Sequence, residues 1–240
     1  MSGRLIGVGV GPGDPELLTL KAVRALQGSD VIAHFAKAGN PSHAYSSAHQ
    51  FLPSHALDCP LLYPVTTELP ADSPEYRTQI DGFFDQSAVR LAEHLDAGRV
   101  VAVLSEGDPL FFGSYMHVHM RLRSRYQIEV IPGVSAMSAA WSAAGIALVR
   151  GEQPLTIIPG MVSEDALAER LRRREATVIM KVGRNLGKIR RALLASERLS
   201  EAIYVERVSM AEEKVARLAD KPDDHAPYFA MVLVSAPWRP

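Results

Sequence analysis

Two short stretches carry the residue types that could do chemistry. One is Ser105-Glu106-Gly107-Asp108-Pro109, which follows the β-branched run at 100–103. The other is a glycine ladder, Gly7, Gly9, Gly11 and Gly13, with Pro12 and Pro15 interleaved. Gly107 has no Cβ, so a ligand can approach its main chain closely. Asp108 can cap a following helix, and Pro109 suits the first turn of one. The ladder has to be tested as a phosphate cradle. A dinucleotide fingerprint, G-x-G-x-x-G, started at Gly7 meets Pro12 where its third glycine belongs; started at Gly9 it meets Asp14, and at Gly11 it meets Glu16. No Gly-Lys-Ser/Thr follows, so the P-loop pattern fails as well. Prolines remove N–H donors, and acidic side chains oppose a phosphate. The ladder is therefore a tight main-chain turn set beside something other than a phosphate.

Other chemistries find less support. His117 and His119 are two apart, which on a helix puts them on different sides and disfavours joint chelation. No G-x-S-x-G elbow occurs. Glu106 and Asp108 diverge at a strand end and do not form a glycosidase acid pair. The one cysteine, Cys59, excludes an internal disulfide or a cysteine-rich metal site and reads as a small buried residue. No residue is singled out as a general base, and no metal is expected. The tract 170–175 reads as a solvated helix face.

These stretches need elements to position them. Residues 4–10 read as a first, central strand, followed by a helix at 16–27 with Asp14 as N-cap. Strands are expected at 30–35, 61–65, 100–103 and 128–131, with helices at 74–97, 110–123 and 134–144. Residues 66–73 read as a mobile flap. Beyond a composition shift at 149–154, strands are expected at 155–158, 176–181, 202–208 and 228–235, with helices at 164–174 and 185–195. This rhythm predicts two α/β domains, 1–150 and 151–240. The first holds a mostly parallel, doubly wound sheet and the second a smaller mixed sheet. The glycine-rich and acidic loops then fall at carboxyl ends of strands, where open α/β sheets bind ligands, and the active site is expected in the cleft between the domains.

At 240 residues, 47% of them apolar, the chain can build a sizeable core. A formal net charge of −1 argues against a nucleic-acid or polybasic membrane surface. No run of about 18 apolar residues predicts a membrane span. The amino-terminal stretch lacks the longer apolar region of a signal peptide, so a cytoplasmic protein is expected.

Three segments in order, GVGPGDPELLTLKAVRAL (9–26), SEGDPLFFGS (105–114) and VIPGVSAMSAAWSAAGIAL (130–148), resemble the tetrapyrrole methylases, the class III S-adenosylmethionine methyltransferases. MKVGRN (180–185) and MVLVSAPW (231–238) extend the resemblance over essentially the whole chain. The resemblance implies an adenosyl site holding S-adenosyl-L-methionine. Its contacts fall on Pro12, Glu106, Gly107, Asp108, Phe111, Ser135, Ala136 and Val182, where relatives often have methionine at the last position. It further implies a tetrapyrrole substrate, met by Gly11, Gly13, Lys37, Arg150, Arg184 and Arg207, and a homodimer. Glu106 and the AHFAKAGN segment (33–40) resemble the members that methylate C-20 of precorrin-2, a tetrapyrrole with eight carboxylates. Members that make precorrin-2 usually carry an aspartate where this chain has Phe35. Methylation of the cobalt-loaded substrate at the same carbon, and a non-catalytic adenosyl-binding module, stay open. A dinucleotide oxidoreductase is disfavoured by the failed fingerprint.

Overall fold

A computed structural model describes residues 3–66, 68–69 and 73–237. The chain divides into two compact units, Met1–Ser135 and Ala136–Pro240. The division falls ahead of the composition shift at 149–154. The alanine- and serine-rich helix after Gly133 groups with the second unit.

In the first unit the apolar strands have no polar face, so both faces of their sheet need cover. Strands β1 (Arg4–Gly9), β2 (Val31–Lys37), β3 (Leu57–Tyr63), β4 (Val100–Ser105) and β5 (Gln127–Ile131) form one sheet in the order β3-β2-β4-β1-β5. Every pairing in it is parallel. Alternate residues serve opposite faces. Leu5, Val31, Val101 and Val103 pack with Leu91 and Leu95 of α3 (Pro74–Asp96) and with Tyr115 and Val118 of α4 (Tyr115–Leu122). Ile6, Val8, Ile32, Ala102 and Leu104 pack with Ala22 and Leu26 of α1 (Leu20–Gln27) and with Ala44 and Ala48 of α2 (His43–Ala48). The sheet is thus doubly wound, as the sequence pattern predicts.

Four local expectations are revised. The middle place belongs to β4, and β1 lies beside it. Asp14 caps a single 3-10 turn, Pro15–Leu17, by accepting from the Glu16 N–H, and α1 starts afresh with the Thr19 hydroxyl as its cap. The helix expected from residue 110 begins only at Tyr115, because Phe112 adopts a left-handed backbone, φ +53°, that no α-helix continues through. Helix α2, with Ser42 as its cap, was too short to show a period. The expected flap at 66–73 lies partly outside the described residues.

The second unit carries β6 (Leu155–Pro159), β7 (Ala176–Met180), β8 (Ala202–Glu206), β9 (Lys214–Arg217) and β10 (Ala230–Val234) in the order β6-β7-β10-β8-β9. Only β6 and β7 pair in parallel; β10 runs antiparallel to both β7 and β8. Leu167 and Leu171 of α6 (Glu164–Leu171) and Ile189 and Leu193 of α7 (Leu186–Ala195) cover one face over Ile158, Ile179 and Val232. Helix α5 (Ala136–Ala143) opens this unit. Strand β9 escaped the pattern because all four of its residues are exposed, and pairing with β8 alone makes it a strand. A fully buried guanidinium, Arg198, ties the unit together. It donates to the main-chain oxygens of Glu175 (2.7 Å) and Ser235 (2.8 Å) and to the Glu201 carboxylate (2.8 Å).

Candidate functional site

In the first unit the connections from β1 and β2 lead one way across the sheet and those from β3 and β4 lead the other. The carboxyl ends of β1 and β4 are therefore the topological switch point, the place where an open parallel sheet opens a crevice. Both of the chemically suggestive stretches sit there.

Their main chains meet directly. The Val10 N–H donates to Ser105 O at 3.0 Å, and the Gly107 N–H donates to Gly11 O at 2.8 Å. Gly11 and Gly107, with φ of +76° and +64°, need the left-handed freedom of glycine. A third strand end joins them. A Cβ on Gly133 would lie 2.0 Å from Gly107 O, and one on Gly9 would lie 2.5 Å from Gly133 N. Three backbones thus converge with no room for a side chain between them. Gly7 has another cause: a Cβ there would strike the Tyr115 ring at 2.3 Å. The first glycine of the ladder makes room for α4, and the later ones build the convergence.

Asp108 braces this arrangement. Its Oδ1 accepts from Leu110 N–H at 2.9 Å and its Oδ2 from Gly133 N–H at 3.3 Å, so one carboxylate joins the loops after β4 and β5. Its capping role is played on this turn, seven residues ahead of Tyr115 at the start of α4. Glu106 is exposed beside it, Pro12 is buried, and Gly13 and Ser135 are half-buried. The half-buried Phe111 ring meets the Phe112 ring edge-on, with centroids 4.8 Å apart. Lys37 ends β2 at the same sheet edge and pairs with Glu68, and that bond draws the Glu68 carboxyl down to about 2. The histidine pair behaves as its spacing implies: His117 stacks on Phe84 at 4.1 Å, whereas His119 Nδ1 lies 3.3 Å from the Tyr115 hydroxyl. Among the described residues no trio of His, Cys, Asp or Glu is placed to hold a metal ion. Cys59 is buried, and burial pushes its thiol up.

In the second unit β7 and β8 both oppose β10, so their carboxyl ends share one sheet edge. That edge gathers Val182, Arg184 and Arg207. The Val182 side chain is fully buried in the unit's core, and its carbonyl accepts from Asn185 N–H at 2.7 Å. Any ligand contact at this position is therefore a main-chain one. Arg207 holds φ of +49° and its N–H donates to Phe229 O at 2.8 Å. Arg150 belongs instead to the segment entering β6 from the opposite edge; its N–H donates to Gln153 Oε1. Sequence reasoning read Gly133 only as part of a turn and Lys181 only as a strand end. Lys181 is half-buried with φ of +57°, and burial lowers its ammonium. Both positions lie in motif segments, 130–148 and 180–185, but their own roles emerge only from how strand ends meet.

Residues 4–220 match the family model described as Tetrapyrrole (Corrin/Porphyrin) Methylases. The chain belongs to this family. This tetrapyrrole methylase is 57% identical over 237 residues to a Sinorhizobium protein named Precorrin-2 C(20)-methyltransferase, covering 99% of this chain and 96% of that one. It is 28% identical over 243 residues to the Cobalt-precorrin-2 C(20)-methyltransferase of Salmonella typhimurium, covering 100% and 99%. In fold it resembles a Thermus thermophilus uroporphyrin-III C-methyl transferase solved in complex with S-adenyl homocysteine. The TM-score is 0.65 at 24% identity, with 97% of both chains covered. The parallel first sheet and the mixed second sheet of this methylase are the architecture expected from the sequence.

Proposed function

We propose that this tetrapyrrole methylase moves the methyl group of S-adenosyl-L-methionine to C-20 of precorrin-2, giving precorrin-3A in cobalamin formation. The observation that carries this reading is the 57% identity, end to end, with the Sinorhizobium enzyme. The lower identity to the Salmonella enzyme, 28%, favours the metal-free over the cobalt-loaded substrate.

The co-substrate supplies a methyl group already activated on a sulfonium, so the protein's task is binding and alignment. The first unit's sheet edge fits such a ligand. Where Gly9, Gly107 and Gly133 converge, three main chains pack directly on one another and fix the loops that border the site. The exposed Glu106 carboxylate adds negative charge suited to a cationic ligand. Pro12, Gly107, Asp108, Phe111, Ser135 and Ala136 make up the adenosyl site in this reading, with a main-chain contact from Val182. Asp108 works as a brace, holding the loops after β4 and β5 in register. Gly11 and Gly13 lie toward the macrocycle, and Lys37, Arg150, Arg184 and Arg207 take its carboxylates. Holding nucleophilic carbon and methyl about 3–3.5 Å apart contributes several kcal/mol to the rate. No side chain is assigned as the base that removes the C-20 proton. The reading includes a cytoplasmic homodimer; among the described residues no helix is long and apolar enough to cross a membrane.

Anaerobic incubation with precorrin-2 and methyl-labelled S-adenosylmethionine tests this. Label at C-20 is expected, with slower turnover of the cobalt-loaded substrate. Binding of S-adenosylhomocysteine without label transfer would reduce the protein to an adenosyl-binding module.

A further inference from the structure

Phe112 stands in a conformation its residue type resists. Its φ is +53°, and a bulky L-residue in the left-handed region is a marked outlier. The chain has a glycine next door, Gly113, where neither conformation nor crowding asks for one. Gly113 has no positive φ, and a Cβ on it would meet its nearest neighbour at an ordinary 3.5 Å. Exchanging the two residues would remove the strain. Strain that persists has to be held from outside, and it collects where a ligand or reaction uses it.

The loop is held at both ends. Asp108 fixes its start, accepting from Leu110 N–H through the carboxylate and from Phe111 N–H at 3.2 Å through its carbonyl. Its end is fixed by Ser114, whose hydroxyl bonds to that of Tyr63 at the end of β3. Between these anchors Phe111 is half-buried, and Phe112 is turned 72° from it with 40% of its surface exposed. Leu110, at 48%, adds to the same exposed apolar lip. An aromatic ring held outward at a switch-point crevice is a platform for a flat apolar ligand surface.

We propose that Phe112 seats the tetrapyrrole, its ring lying against the partly conjugated macrocycle. This rests on the precorrin-2 reading above and extends it to a residue that no adenosyl contact accounts for. The strained backbone fixes the ring before substrate arrives, so little side-chain order is lost on binding.

The test compares wild type, Phe112→Ala and Phe112→Gly as full-length enzyme under anaerobic conditions, with precorrin-2 and labelled S-adenosylmethionine. Phe112→Ala is expected to raise KM for precorrin-2 about tenfold. Affinity for S-adenosylhomocysteine, measured by calorimetry, stays within about twofold of wild type. Phe112→Gly shows the same KM loss yet melts about 2–4 °C higher, because glycine relieves the strain. Opposite movement of stability and substrate affinity is what a merely structural phenylalanine would not produce. Should Phe112→Ala fail to fold, Phe112→Leu decides, with an expected rise in KM of about threefold. An unchanged KM in a folded variant overturns the inference, as does a parallel loss of S-adenosylhomocysteine affinity, which would assign the ring to the cofactor. A wild-type chain that transfers no label overturns the precorrin-2 reading and this inference with it; an active wild type with unaffected variants overturns this inference alone.

Discussion

The two units solve the same problem, how to turn the chain at the carboxyl end of a strand, in opposite ways. In the first, the left-handed positions directly after β1 and β4 are Gly11 and Gly107, where main chain meets main chain, and Phe112 further along the β4 loop is the exception that carries a side chain. In the second, the left-handed positions after β7 and β8 include Lys181, Arg207 and Ser209, each with a side chain on a strained backbone. One sheet edge is turned mostly by glycines, whereas the other keeps side chains, two of them cationic, at some conformational cost. A ligand gripped by backbone groups suits the first, and a polyanion suits the second. The cores differ likewise. The first sheet is covered by apolar helices on both faces, whereas the second unit contains a buried guanidinium that bonds to three main-chain carbonyls and a carboxylate.

The contrast can be broken at several points. The largest effect is expected from Arg198→Ala, which strands those carbonyls and the Glu201 carboxylate. A loss of about 3–5 kcal/mol is expected in urea melts. If Arg198→Ala costs less than a surface substitution, the buried arginine is not what ties the second unit together. Next comes Gly133→Ala, whose Cβ has backbone on every side; about 3 kcal/mol of stability goes, and S-adenosylhomocysteine binding with it. Full binding by a stable Gly133→Ala protein would refute the three-backbone convergence. Asp108→Ala removes the brace between two loops. It should weaken S-adenosylhomocysteine about tenfold by calorimetry while costing the fold only about 1–2 kcal/mol.

Smaller effects sharpen the comparison. Arg207→Gly should stabilise by about 1 kcal/mol, since glycine accepts the left-handed conformation, while raising KM for the polyanionic substrate. Gly107→Ala should instead destabilise by about 1 kcal/mol and weaken binding of S-adenosylhomocysteine rather than of the polyanionic substrate, so the pair of melts and binding profiles tests the contrast directly. The smallest effect concerns Glu206, at the end of β8. Burial pushes its carboxyl up, but hydrogen bonds from Tyr204 and Lys214 outweigh burial and hold it below its usual value. A carboxylate lowered in the native state adds stability above its unfolded value and loses it as pH falls through the native one. Wild type should therefore lose more stability than Glu206→Gln as pH drops below about 4.5. Parallel curves in acid denaturant melts would remove that role from Glu206.

Much of the first unit was legible residue by residue. Buried strands read as β-branched runs, α3 as a long apolar period, and the ladder and the SEGDP stretch as places of close approach. What was misplaced had no local mark. The run after Pro109 looked helical because its composition is apolar, but the Asp108 and Ser114 anchors hold Phe112 left-handed and delay α4 to Tyr115. Strand β9 carries no alternation to detect.

Periodicity alone determined the mostly parallel first sheet and the mixed second one, and the motifs pointed to the family and through it to the proposed adenosyl set, because these are local properties of the chain. Only the tertiary structure decided why each glycine is there. Gly7 answers to the Tyr115 ring, Gly9 and Gly133 to the Gly107 carbonyl, and Gly11 to its own φ. It also decided that Asp108 spends its carboxylate on Gly133 and that Val182 turns its side chain into the core. These are contacts between residues far apart in the chain, and no spacing within one segment can record which distant backbone will come to rest against it.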